Sequence, residues 1–74
     1  MSLQKIYSEI HGAVWKLECA VNDRVNSEDT LILLESMKME IPVSATCNGI
    51  IHDICVTEGE IVSEGQLLLI LEPI

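Results

Sequence analysis

The sequence has few positively charged residues and almost no aromatic ones. Lys and Arg together number 4 against 12 Asp and Glu, which gives a formal net charge of −8. Four cations cannot form a basic patch large enough to bind nucleic acid or an anionic membrane, so neither is expected as a partner. Phe is absent, and Trp and Tyr occur once each. The core must therefore be aliphatic, and its β-branched members favour strands.

Cysteine is also scarce, and long apolar runs are missing. The three cysteines form no CxxC pair and no Cys/His pair at metal-ligand spacing. An odd number of cysteines without a signal peptide predicts free thiols and a cytoplasmic location. The longest apolar runs, Leu31–Leu34 and Leu67–Leu71, are far too short to cross a bilayer. We expect residues 1–74 to form one small soluble domain.

The chain aligns with itself without gaps when it is shifted by 37 residues. The identical pairs that result are Gly12/Gly49, Val25/Val62, Leu31/Leu68, Leu34/Leu71 and Glu35/Glu72. Apolar residues also fall on apolar residues between these pairs. Since 74 is twice 37, the pattern predicts an internal repeat of two halves, residues 1–37 and 38–74, related by a pseudo-two-fold axis.

Each half contains short apolar segments separated by polar turns. The expected strands cover residues 6–8, 13–21, 25 and 31–34 in the first half, and 41–43, 50–56, 62 and 67–71 in the second. In the second strand of each half, two core residues stand three apart (Val14 and Leu17, Ile51 and Ile54), which interrupts strict alternation and predicts a bulge. The aliphatic runs at the end of each half predict strands buried on both faces.

The polar turns of the two halves match only in part. Asn22 stands where the second half has Gly59, and asparagine tolerates a positive φ. Glu28 stands where the second half has Gly65. Glutamate does not favour that conformation, so these second turns are expected to differ in detail.

Leu31–Ile41 allows two interpretations. Its Leu, Glu, Met and Lys residues form helices readily. However, apolar residues at 37, 39 and 41 alternate with polar ones at 38 and 40, which is the period of a strand, and no pair of caps brackets a helix. We predict two strands joined by a turn at Met37-Lys38. The resulting fold is all-β, a flattened β-barrel or barrel-sandwich hybrid of two small facing sheets.

The repeat also predicts where this turn lies. The counterpart of Lys38 would be residue 75, which is beyond the last residue of the chain. The Lys38 turn and the two chain ends should therefore lie at opposite ends of the domain.

Glu35-Ser36-Met37-Lys38-Met39 resembles the attachment sequence of the biotinyl/lipoyl attachment domain family, in which Ala/Ser-Met-Lys-Met follows a glutamate. The resemblance covers essentially the whole chain, because the family also has two quasi-symmetric halves. It implies a biotin carboxyl carrier in which Lys38 holds covalent biotin through an amide. A biotin protein ligase would attach the biotin from biotinyl-adenylate. The domain itself would be a non-catalytic carrier.

The resemblance also implies the partners of such a carrier. Its biotin would act as a swinging arm that takes a carboxyl group from a biotin carboxylase to a carboxyltransferase, within a biotin-dependent carboxylase of the acyl-CoA type such as acetyl-CoA carboxylase. Three departures from the family pattern stand out. Ser8–Gly12 replaces a Pro-Met-Pro-Gly-like stretch, Glu28 replaces a usual glycine, and the gapless repeat leaves no room for an inserted thumb. The chain thus resembles the thumb-less type.

The residues around Lys38 allow more than one role. Met37 and Met39 either form an adaptable apolar platform that the ligase and the carboxylase recognise, or cap the core. A turn at Met37-Lys38 places Glu35 opposite Glu40, and because opposed like charges are unfavourable, partner recognition is one hypothesis for them. A solvated strand edge is the other.

Alternative functions and sites follow from the same residues. A lipoyl carrier of a 2-oxo-acid dehydrogenase or glycine-cleavage system would share the fold, although its acceptor usually reads Asp-Lys-Ala. An unmodified interaction module is a third possibility. His11 and His52 lack partners at ligand spacing, so no metal site is expected, and no catalytic residue set is visible. Trp15 is expected to be partly buried between strands.

Overall fold

A computed structural model describes residues 2–74, and within them eight short strands form two four-stranded antiparallel sheets. The strands are β1 (Gln4–Tyr7), β2 (Gly12–Leu17), β3 (Arg24–Val25), β4 (Thr30–Ser36), β5 (Met39–Ser44), β6 (Gly49–Ile54), β7 (Ile61–Val62) and β8 (Leu67–Pro73). The β8 sheet has the order β1-β8-β6-β3, and the β4 sheet has the order β5-β4-β2-β7. The all-β prediction is confirmed.

No helix occurs among the residues that the structure describes, so none of them forms a helix long enough to cross a membrane. The helical interpretation of Leu31–Ile41 is therefore wrong. The strand limits differ from the predicted ones in places. The β2 strand ends at Leu17 rather than at residue 21, and β5 runs over six residues where residues 41–43 were expected.

Three strands of the first half recur 37 residues later with closely similar burial. These pairs are β2 and β6, β3 and β7, and β4 and β8. Backbone hydrogen bonds between the halves follow the same relation. Val14 N donates to Glu60 O at 2.8 Å, and Ile51 N donates to Asp23 O at 2.9 Å. Backbone amides of each half thus donate to carbonyl oxygens of the other half, so neither half satisfies its backbone hydrogen bonds alone.

The two predicted bulges lie where alternation breaks. The β2–β4 register shifts between Val14 and Lys16, and the β6–β8 register shifts between Ile51 and Asp53. In β2 the free backbone amide of Leu17 donates to Glu58 Oε2 at 3.0 Å. Because Glu58 is 41 residues away from Leu17 in the chain, this bond at the end of β2 could not be predicted from the local sequence.

The core lies between the sheets and is entirely aliphatic. Its members come from both halves: Ile6, Val14, Val25, Leu31, Ile32, Leu34, Ala45, Ile51, Val56, Val62, Leu68, Leu69 and Leu71. Each buried Leu or Ile contributes on the order of 1.5–3 kcal/mol relative to an exposed one. Leu33 and Ile70, in the middle of the aliphatic runs, are only half-buried, so the prediction of burial on both faces is met in part.

The second turns of the two halves have the same backbone conformation, which corrects the expectation that they differ. Glu28 has a φ of 78° and Gly65 one of 88°. Glu28 N donates to Ala45 O at 2.9 Å, and Gly65 N donates to Ser8 O at 2.7 Å. The bond to Ala45 helps to hold Glu28 in a left-handed conformation that its side chain does not favour. The prediction of a positive φ at Asn22 is confirmed, at 77°.

The chain ends and the β4–β5 turn lie at opposite ends of the molecule. The β5 strand begins directly after the turn and ends at Ser44. The following residues, Thr46 and Cys47, line a shallow depression together with Ser2, Gln4 and Pro73. The prediction of opposite ends is confirmed, along a molecule whose longest dimension is 35 Å.

Candidate functional site

The β4–β5 hairpin closes with a two-residue turn, Met37-Lys38. Ser36 pairs with Met39, Glu35 with Glu40, and Leu34 with Ile41. The register confirms the predicted turn. Because side chains alternate along a strand, the register also decides which residues face the core. Leu34 and Ile41 face inward, whereas Glu35 and Glu40 lie on the outer face of the β4 sheet.

Both turn residues have a left-handed backbone. The φ angle is 52° at Met37 and 66° at Lys38, as in a type I′ turn. Asn-Gly is the usual sequence of such a turn, because side chains with a Cβ pay a steric cost at positive φ. Local backbone preference thus does not account for Met and Lys here. Strain of this kind is concentrated at functional sites.

The side chains at the turn are exposed to solvent. Met37 is 92% exposed and Met39 is 64% exposed, although both are apolar. The interpretation that they cap the core is therefore wrong. Lys38 is exposed as well, and it forms no ion pair with any residue in the described range 2–74. The amine of Lys38 is accessible, with an apolar side chain on either side of it in the sequence.

Glu35 and Glu40 are exposed and lie directly opposite each other, as predicted. Neither pairs with a cation, since the single ion pair found within residues 2–74 joins Lys16 Nζ and Glu18 Oε1 at 3.6 Å. Opposed carboxylates destabilise a hairpin modestly. Two negative charges without an ion-pair partner thus lie side by side on the outer face, next to the turn.

Gly12 supports the hairpin from the neighbouring strand. A Cβ atom built on Gly12 would lie 2.6 Å from the carbonyl oxygen of Glu35. Only glycine lets β2 approach the backbone of Glu35 this closely. Gly49 approaches Glu72 in the same way in the other half. The contact between Gly12 and Glu35 positions β4, the strand that leads into the Met37-Lys38 turn.

An apolar groove of about 190 Å³ opens beside the hairpin, between the edge strands β1 and β5. Ile6 and Tyr7 line it on one side, and Leu34, Ile41 and Val43 line it on the other. Sequence reasoning did not identify this groove. The one available signal was the alternation of Ile41 and Val43, which are half-buried at the edge of the core.

The described residues contain no other grouping suited to chemistry. No set of three or more His, Cys, Asp and Glu side chains within residues 2–74 could hold a metal ion, so His11 and His52 have no ligand partners there. Cys19 and Cys47 are half-buried, Cys55 is exposed, and all three thiols are free. Burial raises the pKa of the Cys19 thiol, and the nearby charge of Asp23 raises it further.

Two exposed apolar side chains on the β4 sheet were not predicted. Trp15 is 51% exposed, so it is partly buried as expected, but it lies on the outer face of the sheet rather than between strands, and Ile61 is 63% exposed. Val14 and Val62 point into the core, so their neighbours Trp15 and Ile61 point outward. The sequence contained one signal for this exposure: each of the two residues stands next to a predicted core residue of the same strand, so its side chain points to the opposite face.

The fold and the exposed lysine turn together define a domain of the covalent-attachment type, and similarity to known proteins agrees. The family model described as "Biotin-requiring enzyme" matches residues 4–71. The chain belongs to this biotin/lipoyl attachment family. One relative, "Biotinylated protein TB7.3 homolog" of Mycobacterium leprae, is 35% identical over 68 residues, which are 92% of this chain and 96% of the relative.

Two solved structures show the same fold. The urea carboxylase of Kluyveromyces lactis superposes on 96% of this chain with a TM-score of 0.90 and 35% identity, and this chain spans only 6% of that protein. The lipoyl domain of the 2-oxoglutarate dehydrogenase complex of Azotobacter vinelandii superposes with a TM-score of 0.79 and 25% identity, over 90% of this chain and 92% of that domain. The chain is thus similar both to a protein named as biotinylated and to a lipoyl domain.

Proposed function

We propose that this chain is a biotin carboxyl carrier in which the Nζ atom of Lys38 holds biotin through an amide bond. The observation that carries the proposal is the Met37-Lys38 turn, a left-handed, exposed and strained pair at the end of the molecule opposite the chain ends. An unpaired amine at such a tip fits a covalently attached group, because neither core packing nor an ion pair restrains it. When bound, biotin supplies a ring nitrogen that accepts and releases a carboxyl group.

The residues of the chain would present and support the attachment point. The β4 and β5 strands hold the turn rigidly, since β4 pairs with β2 on its other side. Met37 and Met39 would offer apolar contact to each enzyme that approaches, and the flexible methionine side chain adapts to different surfaces. The domain would increase the effective concentration of the attached group at two separate active sites.

Biotin is favoured over lipoate by two observations. Lys38 stands between two methionines, as in the biotin-attachment sequence that this segment resembles. The similar relative from Mycobacterium leprae is named a biotinylated protein and has nearly the same length as this chain. The partners that follow are a biotin protein ligase, a biotin carboxylase and a carboxyltransferase, in a reducing compartment that matches the free thiols.

Glu35 and Glu40 would contribute to recognition by the ligase. Their carboxylates lie beside the turn and form no ion pair within the described part of the chain. A basic residue of the ligase would remove the repulsion between them. Charge reversal in Glu40→Lys should slow biotinylation and weaken its dependence on salt, and an unchanged rate would exclude this role for Glu40.

Modification in cells and intact mass test the proposed function. The chain is co-expressed with a biotin protein ligase in the presence of biotin, and in parallel with a lipoate ligase in the presence of lipoate. A mass increase of one biotinyl group, together with recognition by avidin, is the expected result. A lipoyl adduct alone would identify a lipoyl carrier instead. No adduct in either culture would indicate an interaction module and contradict the proposal.

A further inference from the structure

The pseudo-two-fold axis relates the outer face of the β4 sheet to the outer face of the β8 sheet, but the two faces differ in chemistry. Their outward positions are identified by register. Ala13 pairs with Glu35 and with Ile61, and Leu33 pairs with Pro42. The five outward apolar residues of the β4 sheet, here called the Trp15 face, are Ala13, Trp15, Leu33, Pro42 and Ile61.

The equivalent positions of the β8 sheet are polar where they are most exposed. Shifting the Trp15 face by 37 residues gives Ile50, His52, Ile70, Lys5 and Arg24, and the register of the β8 sheet aligns these residues in the same rows. The three exposed apolar side chains of the Trp15 face are thus replaced by a histidine, a lysine and an arginine.

This difference is not required by the fold. The same backbone accepts Arg24 where it accepts Ile61, and His52 where it accepts Trp15. Water solvates polar side chains at such positions without cost, whereas exposure of Trp and Ile to water is unfavourable and is relieved when another surface covers them. The apolar character of the Trp15 face therefore indicates that another surface covers it. Aromatic residues of this kind are typical anchors of protein interfaces.

The charges beside the Trp15 face indicate what kind of surface this is. Glu35 and Glu40 belong to the same row as Ala13 and Ile61, and they stand at the end of that row next to the Lys38 turn. A second copy of this chain, with a net charge of −8, would add carboxylates to this rim and is disfavoured. Lys16, which lies on the same face opposite Leu33, is paired with Glu18 at 3.6 Å and does not neutralise these two carboxylates. A protein with an apolar centre and basic residues at its edge is therefore complementary to this rim.

We propose that the Trp15 face is the docking surface for the ligase that modifies Lys38. This inference deepens the proposed function and rests on it. The lysine amine extends a single side chain from the hairpin backbone, so an enzyme that acylates it must bring its active site against the turn. Such an enzyme necessarily lies close to the adjoining sheet face. An enzyme that acts on the distal end of the attached group need not lie against this face, because the Lys38 side chain and the attached group together reach farther from the turn.

The test exchanges residues between the two equivalent faces. In the double variant Trp15→His, Ile61→Arg, the docking face receives the residues of its counterpart. The control double variant Arg24→Ile, His52→Trp makes the reverse change on the β8 sheet. Purified apo protein is biotinylated by a biotin protein ligase with biotin and ATP, and kcat and KM are obtained from the rate of avidin-reactive product. Circular dichroism and thermal unfolding establish that each variant is folded.

The docking variant should raise KM at least about tenfold with little change in kcat, and the control should match the wild type. A second measurement does not depend on turnover. Lys38→Arg cannot accept biotin but should inhibit modification of the wild type competitively, and adding Trp15→His and Ile61→Arg should weaken this inhibition by a similar factor.

Equal KM values for the wild type and the docking variant would overturn the docking proposal while leaving the carrier function intact. If the wild type also sediments as a dimer and the docking variant as a monomer, the face belongs instead to an interface with a second copy of the chain. Failure of the wild type itself to accept biotin would instead contradict the proposed function and this inference together.

Discussion

The β4 and β8 strands have the same length and nearly the same burial, yet they end differently. Each has seven residues with three core side chains in the same positions. After Ser36 the chain turns through Met37-Lys38 into β5, whereas after Pro73 one further residue follows, and Ile74 N bonds to Asn48 O at 3.1 Å. The difference teaches that the repeated strands build the scaffold, whereas the proposed attachment site lies in the turn that follows β4.

The sharpest test of this difference removes the amine. In Lys38→Arg the positive charge and the exposed turn remain, but no amide can form at that position, so modification should be lost completely. Lys5→Arg is the matched control, because Lys5 is exposed in β1, on the outer face of the other sheet. Intact mass after co-expression with a biotin protein ligase measures the result. Residual adduct on Lys38→Arg would place the attachment elsewhere.

Gly12 and Gly49 allow the two halves to be compared under the same change. Either alanine substitution places a Cβ against a backbone carbonyl, of Glu35 or of Glu72 respectively. Each should lower the free energy of unfolding by about 2–4 kcal/mol, measured by urea denaturation.

Only Gly12→Ala displaces the strand that leads into the Lys38 turn. Under conditions where both variants are folded, Gly12→Ala should therefore slow biotinylation and Gly49→Ala should not. Equal rates for the two variants would show that this strand contact does not position the turn.

At the Met37-Lys38 turn, the residue that would best stabilise the backbone differs from the residue that we expect the ligase to recognise. Asparagine adopts a positive φ more readily than methionine, so Met37→Asn should increase the free energy of unfolding by roughly 0.5–1 kcal/mol while slowing modification. Asn22→Met is the opposite change at a residue with a φ of 77° and should destabilise by a similar amount without affecting modification. If Met37→Asn is modified as fast as the wild type, the exposed methionine is not recognised.

The smallest effect is expected at Glu28. Its φ of 78° matches the 88° of Gly65, where the second half has no side chain. Glu28→Gly should stabilise the protein by about 0.5 kcal/mol, because relief of the strain exceeds the entropy cost of glycine. Gly65→Glu should destabilise by about 1 kcal/mol, measured in the same denaturation series. A destabilising Glu28→Gly would show that the side chain makes a compensating contact.

The sequence predicted the features that follow from periodicity. Alternation around Lys38 located the turn and the register that brings Glu35 opposite Glu40. A three-residue spacing of core positions located both bulges. These features depend on residues close together in the chain, which is why local patterns reveal them.

Features that depend on distant residues could not be predicted. The end of β2 depends on Glu58, and the left-handed conformation of Glu28 depends on a bond to Ala45. Trp15 is the residue at which the β2–β4 register shifts, and it lies on the outward side of its strand, whereas its large apolar side chain favoured a position between strands. The groove between β1 and β5 arises only when both sheets are assembled.

The separation of the Lys38 turn from the chain ends has a mechanical consequence. A polypeptide joined at either end of the chain would hold the domain at the end opposite the Lys38 turn, so the proposed attachment point would move on a radius set by the length of a molecule whose longest dimension is 35 Å. The rigid sandwich would then act as a lever that multiplies a small rotation at its base. The distance between two active sites could be covered largely by this pivoting, so that the flexible part of the arm need only enter each site.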